Sequence, residues 1–304
     1  MRSRAALFRA ALLAGGAATA WSPTAHAWSA DAHRAIAMIA QRRLEPGTAA
    51  QLRELLGPRL DLPSLAACPD DIRVYWDDRK DGRPASLPPT CAAVFPVAPQ
   101  GTDRWHYVDI DAALANPTAT DMHRSCRGPN KTDCVLRQIP IHAGVLGDPR
   151  GSKARRAQAA VFLVHLVADV HQPLHCAERN DDGGGGQVRV LFPGRARQQN
   201  LHGVWDAQIP RRIAGTPAQI VTKLDGEILD AAQERAKTDL QAAVLKWARE
   251  SHAAARGSAY AGVAPPPTVT KLDERYVAAA RDVAARRIAL AGVRLATLLN
   301  DLLD

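Results

Sequence analysis

VFLVHLVADVHQPLHC, residues 161–176, decides how this chain is read. Val161 to Val170 is apolar enough to form a buried helix, yet His165 and Asp169 interrupt it. A buried helix excludes such side chains unless something binds them. Residues four apart leave one helical face a turn from each other, so this imidazole and this carboxylate can reach a common metal ion. Pro173 disfavours helical dihedrals at Gln172 and ends the helix near His171, which leaves His175 on a turned segment that can face the same cavity. A lone histidine on an apolar face is ordinarily a hydrogen-bonded core residue. Three ligand-type residues in one segment are not a lone histidine. A second segment, NLHGVWD over residues 200–206, repeats the spacing with His202 and Asp206. Two such pairs point to a metal cluster.

The first 27 residues read as a secretory signal: Arg2, Arg4 and Arg9 in front, an apolar middle from Ala10 to Ala20, and an Ala25-His26-Ala27 cleavage pattern. The mature chain is then expected to start at Trp28, form one domain over 28–304, and be periplasmic or secreted. No other apolar run reaches the roughly 18 residues a spanning helix needs. Loss of three arginines lowers the formal net charge of +8 to +5, a weak bias towards anionic partners. Five cysteines leave at least one unpaired in an oxidising compartment. Cys126 and Cys134 flank a short polar loop and are the first choice for a bridge, with Cys68 and Cys91 second. Cys176 reads as a free buried thiol, the alternative being an extra soft ligand.

Along the chain, apolar spacing predicts helices over Ala30 to Leu44, Gln51 to Leu56, Ser64 to Tyr75, Lys131 to Leu146 and Ala154 to Val170. Pro140 is expected to kink or break the fourth. Helical character returns from Ala218 to Ser251 and from Asp273 to Leu303, where arginines are expected opposite the apolar face. Arg79 to Gln100 is proline-rich and reads as loop. Asp70-Asp71 is by itself an ordinary acidic helix start, and Trp105-His106-Tyr107 by itself ordinary core packing. Asp182 to Gly186 reads as a turn rather than a phosphate cradle, followed by a short strand at Val188 to Leu191. Strand content is too small for a sheet-based core, so the expected fold is mainly α.

Trp28 with His33 five residues on, PDDIR, WHYVD, HLVADVHQPLH, the glycine loop, NLHGVWD and a terminal AGVRLATLLN occur in an order and spacing that resembles the S1/P1 nuclease family across the whole mature chain. The resemblance implies a single helical domain with a three-zinc cleft. It implies one Zn2+ on Asp70, His106, His165 and Asp169, and a second on His175, His202 and Asp206. A third would sit on His33, Asp169 and the amino and carbonyl groups of Trp28. It further implies that Arg73 acts with Asp70 and Asp169 in catalysis, contacting phosphate, while Tyr107 and Asp109 receive a base. The chain departs from the family pattern at Cys68-Pro69, where a tryptophan is usual, and at Gly186, where an asparagine is usual.

The implied activity is hydrolysis of single-stranded DNA and RNA to 5′-nucleotides, with 3′-nucleotidase activity, by zinc-activated hydroxide attacking phosphorus. Single strands are favoured because a duplex hides the base faces on which Tyr107 would stack. No obligate protein partner is evident. Two rivals are a zinc phospholipase C, whose second zinc takes a glutamate where this chain has Asp206, and an exported protein with structural zinc only. Structural sites are closed and usually cysteine-rich, which this ligand set is not.

Overall fold

The structure, a computed structural model, describes residues 28–128, 131–224, 226–227 and 239–303. The expected leader, residues 1–27, lies outside the described residues, as does part of the helical stretch expected from Ala218 to Ser251.

The helix Lys153–Asp169 is the axis of the domain, and from Ala159 to Asp169 every residue on it is buried. Ser152 starts it by accepting a hydrogen bond from the Arg155 amide, which satisfies one of the orphan donors of the first turn. A helix apolar on all faces must be surrounded. The helices Val135–Gly147, Ala30–Gln41 and Glu274–Leu303 pack around it, with Cys68–Lys80 against its far end. Burying each of its large aliphatic side chains contributes about 1.5 to 3 kcal/mol, so this packing fixes its position firmly enough to carry polar ligands. Where Ala30–Gln41 meets the terminal helix the backbones approach closely. A Cβ built on Gly292 would lie 2.5 Å from the Cβ of Ile39, so only glycine fits there.

Strand is confined to a small sheet of Arg189–Leu191 (β1), Gln199–Asn200 (β2) and Thr270–Lys271 (β3), in the order β2-β1-β3. Strand β2 pairs antiparallel to β1, with Arg189 opposite Asn200, and β3 pairs parallel to it, with Val190 opposite Thr270. The fold is mainly α, as the sequence predicts.

Several expectations need correction. Arg79 to Gln100 is not all loop. Residues Pro89–Val94 form a short helix, for which proline at the first position is favourable and which Cys91 ties to Cys68 by a disulfide. Of the kink or break expected at Pro140, the break does not occur: Val135–Gly147 runs through it as one helix against Lys153–Asp169; burial on that neighbour outweighs one missing backbone bond. The terminal arginines are not all on the outer face. Arg287 and Arg294 are 5% and 8% exposed because Glu250 lies between them, 2.8 Å from Arg287 Nη1 and 2.6 Å from Arg294 Nη1. Both expected bridges are formed, Cys126 with Cys134 and Cys68 with Cys91. Cys176 is the free buried thiol, pushed up to about 12 by burial and thus unreactive. Among the described residues no helix is long and apolar enough to cross a membrane.

Candidate metal centre

Six segments, the central helix among them, meet at the carboxyl end of that helix. His165 and Asp169 come from that helix, Asp70 and Arg73 from Cys68–Lys80, and His33 from Ala30–Gln41. His106 closes the short turn Asp103–His106. His175 sits on Pro173–Cys176, with His202 and Asp206 on adjoining turns from Leu201 to Gln208.

Asp169 stands at the middle. Its Oδ2 lies 2.9 Å from His106 Nδ1 and 3.1 Å from His165 Nε2, while Oδ1 lies 3.2 Å from His33 Nε2 and 3.6 Å from His175 Nδ1. Three groups of side chains converge closely enough to hold an ion: Asp70, His106 and His165; His33, His165 and Asp169; and His175, His202 and Asp206. The Trp28 carbonyl is 2.5 Å from His33 Nδ1. Cys68, Asp71 and Cys91 also approach one another, but both sulfurs are spent in the disulfide, so no thiolate remains to ligate.

Ring orientation is set from behind. His165 Nδ1 lies 2.8 Å from the Ala66 carbonyl, His175 Nδ1 2.9 Å from the His106 carbonyl, and His202 Nδ1 2.9 Å from the Gly184 carbonyl. An Nδ1–H donated outward leaves Nε2 with its lone pair facing the cluster, the arrangement metal-ligating histidines commonly show. Burial pushes His175 down to about 3 and His202 down to about 4; both are neutral, which is the ligating form. Burial disfavours the charged form of His165 too, but the carboxylates of Asp169 and Asp70 outweigh it and hold the ring up at about 9. Burial works against ionised Asp169 as well, and His165 and His175 overcome it, keeping this carboxyl far below its usual range.

These residues fit divalent metal. Asp206 Oδ2 is buried without a hydrogen-bond partner, a costly state for a carboxylate oxygen unless a cation or donor faces it. Desolvation raises the Asp206 carboxyl well above its ordinary value, the mark of a negative charge lacking its counterion. Imidazoles mixed with carboxylates, and no free thiol among the clustered groups, suit zinc in an open rather than a closed site.

Beside the cluster, Arg73 Nη2 lies 3.3 Å from Asp70 Oδ1. Tyr107 and Asp109 follow His106 on a segment held to the His175 turn: Val108 N donates to the His175 carbonyl and Glu178 N to the Ile110 carbonyl, each at 2.8 Å. Burial, reinforced by Glu178, pushes Asp109 up to about 6, and burial with Asp109 nearby raises Tyr107. The side chains of His33, Asp70, Arg73, His106, His165, Asp169, His175, His202 and Asp206 are thus brought to one place, with Tyr107 and Asp109 on the segment that leaves His106.

Four further residues contribute that the sequence reading does not single out. Gln172, fully buried, donates from Nε2 to Asp206 Oδ1 at 2.7 Å. Its place before Pro173, between two histidines, was the available signal. Gly184, at φ 58°, supplies the carbonyl behind His202; a Cβ there would meet the Leu174 carbonyl at 2.5 Å. The glycine loop is therefore a histidine support. Arg287 and Arg294 bind the turn after the central helix, through the His171 carbonyl at 3.1 Å and His171 Nε2 at 3.0 Å.

A mainly helical domain with metal-ligating groups clustered at the end of its central helix defines a class of candidate metal-dependent hydrolases. The sequence profile of the S1/P1 nuclease family matches residues 28–304, and the chain belongs to that family. It is 26% identical to Endonuclease 2 of Arabidopsis thaliana over 92% of this chain and 91% of that protein. It is 29% identical to Endonuclease 1 of the same plant, over 90% and 86%. To Nuclease S1 of Aspergillus oryzae it is 27% identical, over 70% of this chain and 64% of the other.

Proposed function

We propose that this protein is an exported, zinc-dependent phosphodiesterase that cuts single-stranded DNA and RNA to 5′-nucleotides and removes phosphate from 3′-nucleotides. The observation that carries this reading is the convergence of buried carboxylates and oriented imidazoles on one place in a member of a nuclease family. Asp70, His106, His165 and Asp169 would hold one zinc, and His175, His202 and Asp206 another. His33, Asp169 and the terminal amine and carbonyl of Trp28 would hold a third, once the leader over 1–27 is removed. Zinc bound there would supply Lewis-acid neutralisation of phosphoryl oxygens and lower the pKa of water.

The chain's own residues account for recognition. Arg73, steadied by Asp70, presents a planar fork that can take two non-bridging phosphate oxygens bidentately. That contact strengthens as charge builds on the phosphate, which makes it a catalytic rather than merely a binding contribution. Tyr107 offers a ring for an unstacked base, and Asp109 on the same segment offers a carboxyl to the base edge. A base inside a duplex has neither its face nor the freedom to enter such a recess, so single strands are the expected substrate.

The test is turnover of single-stranded DNA, RNA, 3′-AMP and a phosphatidylcholine analogue by one preparation whose metal content is measured. About three zinc ions per chain with turnover of the first three substrates is the expected result. Turnover of the lipid analogue alone, or metal without turnover of any substrate, overturns it.

A further inference from the structure

Beyond the metal cluster, Cys68–Lys80 carries a stripe of which the proposed chemistry uses only Arg73. Arg73, Trp76 and Lys80 fall at i, i+3 and i+7, hence on one side of the helix. With Arg79, and with Thr102 and Asp103 across from them, they line a pocket of about 460 Å³. Arg73 belongs both to this pocket and to the cluster, through its contact with Asp70. The opposite wall, Gln100 to Asp103, runs directly into the turn that ends at His106. The pocket is therefore walled by the same two elements that bring Asp70 and His106 to the metal centre.

Its chemistry is specific. Trp76 is pinned by its indole Nε1–H, which donates to the Pro99 carbonyl at 2.9 Å, so the ring is fixed in place. The Arg79 guanidinium lies 5.5 Å from the Trp76 ring centroid and 5.7 Å from that of Tyr75. Of the pocket's cations, Arg73 is paired with Asp70, and Lys80 is paired with Asp77 at 3.4 Å. Arg79 is exposed, lies against the two aromatic rings and donates to the Tyr75 hydroxyl at 3.4 Å; an arginine held on ring faces keeps its outward edge for an anion. A flat cation beside a fixed indole suits one phosphate with an adjoining unstacked base, the combination single-strand binding surfaces use.

We propose that the pocket of Trp76, Arg79 and Lys80 is a second nucleotide subsite, which holds the neighbouring nucleotide of a single strand while Arg73 engages the phosphate to be cut. This rests on the nuclease reading above. It assigns Trp76 to stacking and Arg79 to a flanking phosphate, and it makes longer strands better substrates than a dinucleotide.

The test compares kcat and KM for a ten-nucleotide single strand and a dinucleotide in the zinc-loaded wild type, Arg79→Ala, Arg79→Glu and Trp76→Ala. Melting temperature and zinc content are recorded for each. The ten-nucleotide strand's advantage in kcat/KM should shrink about tenfold in Arg79→Ala and Trp76→Ala, chiefly through KM, and further in Arg79→Glu. Arg79 is exposed, so its variants keep the test valid if Trp76→Ala fails to fold. An unchanged length preference in the arginine variants, with the wild type active, overturns the subsite alone. A wild type that cuts neither substrate overturns the nuclease reading, and the subsite with it.

Discussion

Gln172 Nε2 donates to Asp206 Oδ1 at 2.7 Å, while Gln172 Oε1 accepts from the Leu174 amide at 2.5 Å. One buried amide thus fastens the turn bearing His175 to the carboxylate that shares its cluster. Outer hydrogen bonds of this kind commonly contribute 10- to 100-fold to metal affinity. Gln172→Ala should lower the affinity of the His175, His202 and Asp206 cluster for zinc by roughly that factor and spare the zinc on Asp70, His106 and His165. Competition with a chelator of known affinity, followed by metal analysis, checks it. Uniform loss of all zinc would mean that Gln172 supports the fold at large.

Asp169 has both oxygens engaged and meets His33, His106, His165 and His175. His33 meets Asp169 from one side and stacks on His165 with centroids 4.1 Å apart. Asp169→Ala should therefore release more zinc than His33→Ala, and activity should fall by about 100-fold or more. Equal metal loss in the two variants would remove the bridging role.

The helical class and four of the clustered side chains were legible because polar residues in an apolar helix, or repeated at a spacing of four, contradict their surroundings, whereas His33, Asp70 and His106 stood out only through the family resemblance. His165, Asp169, His202 and Asp206 announce themselves in that way. What was not legible depends on contacts across the chain. Nothing local to Arg287 or Arg294 marks them as buried, since their partner Glu250 lies on another helix. Pro140 stays helical because of a neighbour that periodicity does not register. Gly184 looks like a turn residue until the Leu174 carbonyl is seen to occupy the space of a side chain.

His142 provides a pH dependence away from the metal cluster. Its ring stacks on Phe162 at 4.7 Å and lies 5.5 Å from Trp105, and burial pushes its pKa down to about 4 from the ordinary 6.5. The unfolded chain binds a proton here at a higher pH than the folded chain does. Stability from the neutral ring is thus complete above pH 6.5 and is lost as pH falls towards 4. The loss is on the order of 2 to 3 kcal/mol. His142→Phe keeps a stacking ring without the titration. Urea unfolding of both proteins at pH 7 and pH 4.5 should show a smaller acid loss in the variant. Parallel pH curves would overturn the assignment to His142.

On the proposed reading, the amino end left by cleavage behind Ala27 would complete the metal assignment. Trp28 is fully buried, its carbonyl lies 2.5 Å from His33 Nδ1, and the Ser29 amide donates to the Asp206 carbonyl at 2.8 Å. The backbone at Trp28 is therefore held against two of the ligand-bearing elements. A free amine has a lone pair for zinc, whereas an amide nitrogen has given its own to the carbonyl. Trp28 can supply its nitrogen only after cleavage behind Ala27. A version with one extra amino-terminal glycine should lose much of its affinity for the zinc on His33 and Asp169, keep the zinc on His175, His202 and Asp206, and lose 3′-nucleotidase activity in proportion to the metal lost. Zinc content and turnover of 3′-AMP, measured on both versions, check this directly. Indistinguishable values would make Trp28 a packing residue, and the site on His33 would then have to be redrawn from side chains alone.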